Sequence, residues 1–273
     1  MQLGIFAKTF PGTDPVSVLA AVREAGYATT QFNLACAGLP SMPEYEVSAE
    51  AISTIGEAAK TSGVSLSALS GTYNMAHPDP AHRAGGLKRL GFVVEAAAAL
   101  SIPLVTLCTG TRNADDQWAH HLGNTDPSAW ADMADEMRKA LDFAERYGVD
   151  LGIEPEQANI VTSAADAIRL IGEMGSKRLR IVLDPANLFE QADVAEARAI
   201  IAAAVETSAG HVGMAHAKDR FADGRFATAG QGIVDFPDFL ARLKATGFDG
   251  PLVTHGLSAK EAPAVARFLK ELV

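Results

Sequence analysis

Four polar residues stand at the ends of β-strand-like runs in the second half of the chain. Glu154 closes Val149–Glu154, Asp184 closes Leu179–Asp184, His216 lies within His211–Lys218, and His255 closes Leu252–His255. They follow one another at 30, 32 and 39 residues, about one strand-plus-helix unit each time. Parallel strands closed into a barrel would gather all four at one mouth, where two carboxylates and two imidazoles form a divalent-metal site. That donor set suits one Mn²⁺, Zn²⁺, Co²⁺, Fe²⁺, Ni²⁺ or Mg²⁺ ion better than Ca²⁺. An ion with open positions would polarise a carbonyl and a neighbouring hydroxyl, stabilising the enediolate left when a proton leaves the α-carbon. The same chemistry needs a base. Glu154 and Glu156, in Gly152-Ile-Glu-Pro-Glu156, are the candidates, with Lys218 as electrostatic partner or acid.

Each ligand also has a plainer reading. Glu154 could close a salt bridge, Asp184 could form a turn ahead of Pro185, and a lone His216 or His255 could be a hydrogen-bonded core residue. Four such accidents at equivalent strand ends are a poorer explanation than one site.

The elements that must position these residues are legible along the chain. Strand-like runs occur at Leu3–Ala7, Thr29–Asn33, Val64–Leu69, Leu104–Cys108, Leu151–Glu154, Arg180–Asp184, Val212–Ala217 and Leu252–His255. Eight strands in 273 residues predict an α/β chain folded as one (β/α)₈ barrel over residues 1–273. Asp14-Pro15 and Asp126-Pro127 each offer an N-cap followed by proline at the first helical position. Ser163 with Asp166, and Ser258 with Glu261, are spaced as capping boxes. Trp130, Met133, Met137, Leu141, Ala144 and Tyr147 recur as a helical core stripe, so the two methionines read as core filling. Gly26, Gly63, Gly148 and Gly247 sit where left-handed helix caps fit. Long polar loops at Leu34–Ser48, Asn74–Gly85, Gly110–Thr125 and Asp219–Gly232 all follow strands, which places them at the same mouth as the ligands.

Composition excludes several classes. With net charge −10 and no basic stripe, nucleic acid is not expected as a partner. The two cysteines, Cys36 and Cys108, match no zinc or redox spacing and read as reduced, inert thiols. No signal-peptide pattern or membrane-length apolar run occurs, so a cytoplasmic location and no membrane partner are expected. Gly230-Gln-Gly232 is not a dinucleotide fingerprint, and no Walker-type or nucleophile-elbow motif is present. Around the expected mouth, Gln31 and Asn33 share one side of strand two and His77 follows strand three; all three are candidates to meet substrate hydroxyls. Arg112 and Arg220 are candidates to neutralise a phosphate or carboxylate.

Taken in order, Gly-Ile-Glu-Pro-Glu156, Leu183-Asp-Pro-Ala-Asn187, Ala215-His-Ala-Lys-Asp219 and Gly230-Gln-Gly-Ile-Val-Asp-Phe236 resemble the sugar phosphate isomerase/epimerase family of the xylose isomerase-like TIM-barrel superfamily. The resemblance covers essentially the whole chain. It implies one divalent metal held by Glu154, Asp184 and His216, a small sugar-like substrate, and substrate contacts from Asn187 and Asp219; relatives are often homo-oligomers. The fourth position departs from the pattern: Thr254-His255-Gly256 stands where relatives read Glu-His, so His255 replaces a glutamate. Epimerases of the family use that glutamate and the strand-five one as a proton-shuttling pair. Here a one-base aldose–ketose isomerisation survives the exchange more easily. The expectation is therefore a metal-dependent sugar isomerase or epimerase acting through an enediolate. The rivals are a keto-sugar lyase or dehydratase on the same intermediate, and a non-catalytic sugar-binding barrel. The superfamily also contains endonuclease IV, whose trinuclear zinc site and basic DNA face do not fit a chain with seven histidines and net charge −10.

Overall fold

Short apolar runs that can bury both faces form a parallel sheet, and the amphipathic segments between them cover it. A computed structural model describes residues Met1–Val273 and shows that outcome. Eight strands form the barrel: β1 (Gln2–Phe6), β2 (Thr29–Phe32), β3 (Ser65–Ser70), β4 (Leu104–Leu107), β5 (Asp150–Ile153), β6 (Leu179–Leu183), β7 (Val212–Ala217) and β10 (Pro251–Thr254). They close in the order β1-β10-β7-β6-β5-β4-β3-β2, every neighbouring pair parallel. Eight helices wrap them: α1 (Pro15–Glu24), α2 (Ala49–Ser62), α3 (Pro80–Ala99), α4 (Pro127–Tyr147), α5 (Ala164–Met174), α6 (Val194–Thr207), α7 (Phe236–Ala245) and α8 (Ala262–Lys270). This is a (β/α)₈ barrel. Between β7 and α7 the chain adds a small antiparallel pair, β8 (Asp219–Arg220) and β9 (Phe226–Ala227).

The helix starts follow the capping chemistry. Asp14 and Asp126 accept backbone N–H groups ahead of Pro15 and Pro127, and Ser163 accepts from the Asp166 N–H. A third Asp-Pro pair, Asp79-Pro80, opens α3 in the same way. The expected loop Asn74–Gly85 therefore ends at residue 79. Ser258 and Glu261 do bond to each other, but in a turn ahead of α8, which begins at Ala262 where Pro263 favours the first turn. Gly26, Gly63, Gly148 and Gly247 all take positive φ at helix ends. Met133 and Met137 are fully buried in α4, as core filling requires.

One large apolar core lies between sheet and helices. A separate cluster of Ala68, Leu104, Val182, Met214 and Val253 comes from strands of the barrel and plugs its lumen. Gly152 on β5 is part of that fit, because a Cβ there would sit 2.7 Å from Val182 Cγ2. With the lumen plugged, the polar side chains of the strand ends have only the C-terminal mouth to occupy.

Candidate metal centre

Three of the four expected ligands lie one residue past their strands: Glu154 after β5, Asp184 after β6 and His255 after β10. His216 lies within β7. Since β5, β6, β7 and β10 are consecutive staves, the four side chains converge on one side of the mouth. One donor atom from each lies within 4.8 Å of the others. Asp184 is completely buried and works with both oxygens. Its Oδ1 accepts the Ala186 N–H at 2.9 Å, the Asx turn that the Asp-Pro sequence allows. Its Oδ2 faces His255 Nε2 at 3.0 Å, Lys218 Nζ at 3.4 Å and His216 Nδ1 at 3.6 Å. The turn at Asp184 thus uses one oxygen and leaves the other facing the candidate ligands. Glu154 Oε1 accepts from Asn187 Nδ2 at 2.7 Å and lies 3.2 Å from His216 Nδ1.

Electrostatics favours a cation here. Glu154, Asp184 and Glu156 share the site, and Lys218 is its one permanent positive charge, held by Asn187 Oδ1 at 2.6 Å and Asp184. Burial, and then the neighbouring Glu154 charge, push the Glu156 carboxyl up to about 7. Burial pushes the His216 imidazole down, but Glu154 and Asp184 outweigh it and hold the ring at about 9. Burial, and the charge on His216, push His255 below its usual range. Two carboxylates and two imidazoles converging at one point are a donor set that fits a divalent transition metal.

Glu156 rises from 4.5 to about 7 on folding and His216 from 6.5 to about 9, so the folded chain binds more protons than the unfolded one in both windows. Metal-free protein should therefore lose stability as pH rises from about 6.5 to 9, above the range in which the lowered His255 imidazole acts in the opposite direction, and a divalent metal should abolish that loss. Thermal unfolding with and without Mn²⁺ across this range checks it. A metal-free midpoint that climbs towards pH 9 would contradict it.

The cluster forms part of the wall of a cavity of about 580 Å³. Glu154, Glu156, Asn187, His216, Lys218, His255 and Gln31 all border it. Glu156 is the freest of the acids, with one long contact from Asn159 Nδ2 at 3.4 Å. Several expected substrate contacts are otherwise employed. His77 does not border this cavity: its Nδ1 accepts the Asp79 N–H, its Nε2 faces Ala114 O at 3.2 Å, and its ring stacks on His82. Arg112 is bound to Asp132, Ala76 O and Ser128, which staples the β4–α4 loop to α4. Asp219 is fully buried, and its carboxylate accepts the N–H groups of Arg220, Gly230, Gly232 and Val234, so it holds the segment between β9 and α7 rather than a ligand. Arg220 donates to Phe189 O and Glu190 O. Asn33 borders the cavity, but its Oδ1 accepts from Ala35 N and Ser41 Oγ. Asn187 reaches the cavity with its amide already shared between Lys218 and Glu154. Gln31 is engaged with His216, Ser70 and Thr106.

Sequence reasoning missed Ser70 and Thr106, the Cys108 side of the cavity, and Phe226. The first two had a faint signal, a hydroxyl ending or interrupting an apolar strand. Cys108 is buried and burial pushes its thiol up to about 12, so it remains a thiol. Phe226 could be found only from the tertiary structure, where its ring lies against Lys218 Nζ at 4.1 Å and Arg220 at 4.2 Å.

A family model described as xylose isomerase-like TIM barrel matches residues 19–272. The chain belongs to that family. Solved structures of similar shape include a 3-keto-D-glucoside 4-epimerase from E. coli, at TM-score 0.80 and 20% identity over 99% of both chains. A D-psicose 3-epimerase from Clostridium cellulolyticum H10 superposes at TM-score 0.78 and 17% identity, over 100% of this chain and 99% of that one. An L-ribulose 3-epimerase superposes at 0.76 and 19%, over 99% and 92%. At these identities the likeness is one of fold. No curated protein matches the sequence. No helix of this xylose isomerase-like barrel is long and apolar enough to cross a membrane.

Proposed function

We propose that this chain is a divalent-metal-dependent sugar isomerase or epimerase that moves a proton beside a carbonyl group. The observation that carries the reading is the convergence of Glu154, Asp184, His216 and His255 at a polar cavity with an uncommitted carboxyl, Glu156, beside them. The three solved structures named above, all epimerases of sugars or glycosides, support it by analogy of fold.

Glu154, Asp184, His216 and His255 would hold the cation. Such an ion supplies electrophilic polarisation of a carbonyl and its adjacent hydroxyl. Everything else comes from the chain. Glu156 takes the proton from the carbon next to the carbonyl, since its carboxyl sits near 7 and can both accept and return a proton at neutral pH. Lys218, fixed by Asn187 and Asp184, adds a positive charge beside the developing enediolate. Asn187 orients Glu154 through its Nδ2. With a histidine at position 255, a proton returned by Glu156 to the adjacent carbon, together with passage of the hydroxyl proton to the former carbonyl oxygen, gives aldose–ketose isomerisation. Epimerisation needs a second donor on the opposite face.

The lining favours an unphosphorylated substrate. Neither Arg112 nor Arg220 borders the cavity, and exposed Lys8 is the one lining cation without a protein partner. A phosphate would meet a single ammonium instead of a cradle of N–H donors.

Protein loaded with Mn²⁺ and incubated in D₂O with unphosphorylated ketoses and aldoses should place solvent deuterium on the carbon next to the carbonyl. Interconversion without any incorporation would exclude proton transfer through an enediolate. Accumulation of an unsaturated keto product would reassign the chemistry to elimination.

A further inference from the structure

Gln31 lies on β2, three staves away from β7 around the barrel, yet its side chain reaches across the mouth to His216. It is 8% exposed. Its Nε2 donates to Ser70 Oγ at 3.1 Å and to Thr106 Oγ1 at 3.2 Å, on β3 and β4. With both amide hydrogens committed to those hydroxyls, Oε1 faces His216 Nε2 at 3.0 Å as an acceptor. An acceptor at that nitrogen requires the proton to be there. The other nitrogen, Nδ1, lies 3.2 Å from Glu154 Oε1 and 3.6 Å from Asp184 Oδ2. In the neutral ring it then carries the lone pair, and it carries it on the side where the other ligands converge.

We propose that Gln31 is a positioning residue of the metal centre: anchored by Ser70 and Thr106, it selects the His216 tautomer whose Nδ1 binds the cation. This rests on the metal-site reading above. It also replaces the expectation that Gln31 binds substrate hydroxyls. A histidine ligand whose second nitrogen is unheld can rotate or take the wrong tautomer, and either change removes the lone pair from the ion. Partners of this kind are often carboxylates. An amide does the same orienting work without adding a fourth negative charge to a pocket that already holds Glu154, Asp184 and Glu156. The two hydroxyls matter because a free amide could turn over and present N–H to Nε2. That would leave the lone pair on the wrong nitrogen.

The test compares wild type, Gln31→Met and Gln31→Glu by calorimetric titration with Mn²⁺, together with kcat and KM at saturating Mn²⁺. Methionine keeps the length but offers no adequate acceptor, so Mn²⁺ affinity should fall about 10–100-fold with KM little changed. Glutamate restores an acceptor and should return affinity to within a few-fold of wild type. If Gln31→Met binds Mn²⁺ as tightly as wild type while KM rises, Gln31 is a substrate contact and the proposal fails. If wild type itself binds no Mn²⁺, the metal-site reading fails, and this inference with it. Should Gln31→Met not fold, Thr106→Val removes one anchor of the amide at nearly constant volume. It should then weaken Mn²⁺ several-fold, and unchanged affinity would overturn the proposal.

Discussion

Exchanging Glu156 for Gln should lower kcat by about 10²–10⁴-fold, the range expected when a general base is removed, while Mn²⁺ binds as tightly as before. The exchange keeps the size and polarity of the side chain and takes away only its capacity to carry a proton. Glu154 cannot easily substitute, because its Oε1 is held by Asn187 and by His216. The wild-type rate should rise with pH as Glu156 ionises. Burial, with Glu154 beside it, places that carboxyl at about 7 in the metal-free protein, and a bound cation would draw it lower. The acidic limb should therefore lie at or below pH 7 and vanish in Glu156→Gln. Full activity with an unchanged limb in the variant would return the base role to Glu154.

Asp184→Asn is expected to cost both stability and metal. The carboxylate is fully buried, and one of its oxygens faces Lys218 and both imidazoles. Removing one member of a buried charge pair leaves the other uncompensated, at about 3–5 kcal/mol. Lys218 and the two histidines hold the Asp184 carboxyl well below the usual carboxylate range against its burial. A depressed acid contributes stability above its unfolded pKa, 3.8, and loses it as pH falls through the folded value. The deficit of the variant should accordingly be complete at pH 7 and shrink in acid. Urea unfolding of metal-free wild type and variant at pH 7 and pH 3 measures it. A variant as stable as wild type that still binds Mn²⁺ would show that Asp184 is only a turn residue.

How much of this was written in the chain is clearest residue by residue. All eight barrel strands and most helix starts follow from local rules: alternating apolar runs, Asp-Pro caps, glycine at left-handed ends. The convergence of Glu154, Asp184, His216 and His255 was also legible, because polar groups at the ends of buried strands at one-unit spacing have few other uses. The second tier was not. Asp219, Arg112 and His77 carry the right chemistry for a substrate and sit on the right loops. Only their partners in space, backbone N–H groups, Asp132 and Ala114 O, show that this chemistry is already consumed. Gln31 is the converse case, a residue near the mouth whose role lies in what it does to His216.

The sequence by itself determined the barrel, its mouth and the four converging side chains, since these depend on periodicity and on one polar residue per strand end. Tertiary structure decided which of the remaining polar groups are free. The physical reason is that a hydrogen-bond donor or acceptor has limited capacity, and no local pattern records which distant atom fills it. In this barrel that distinction leaves Glu156 open to act and turns Gln31, Asn187 and Asp219 into supports.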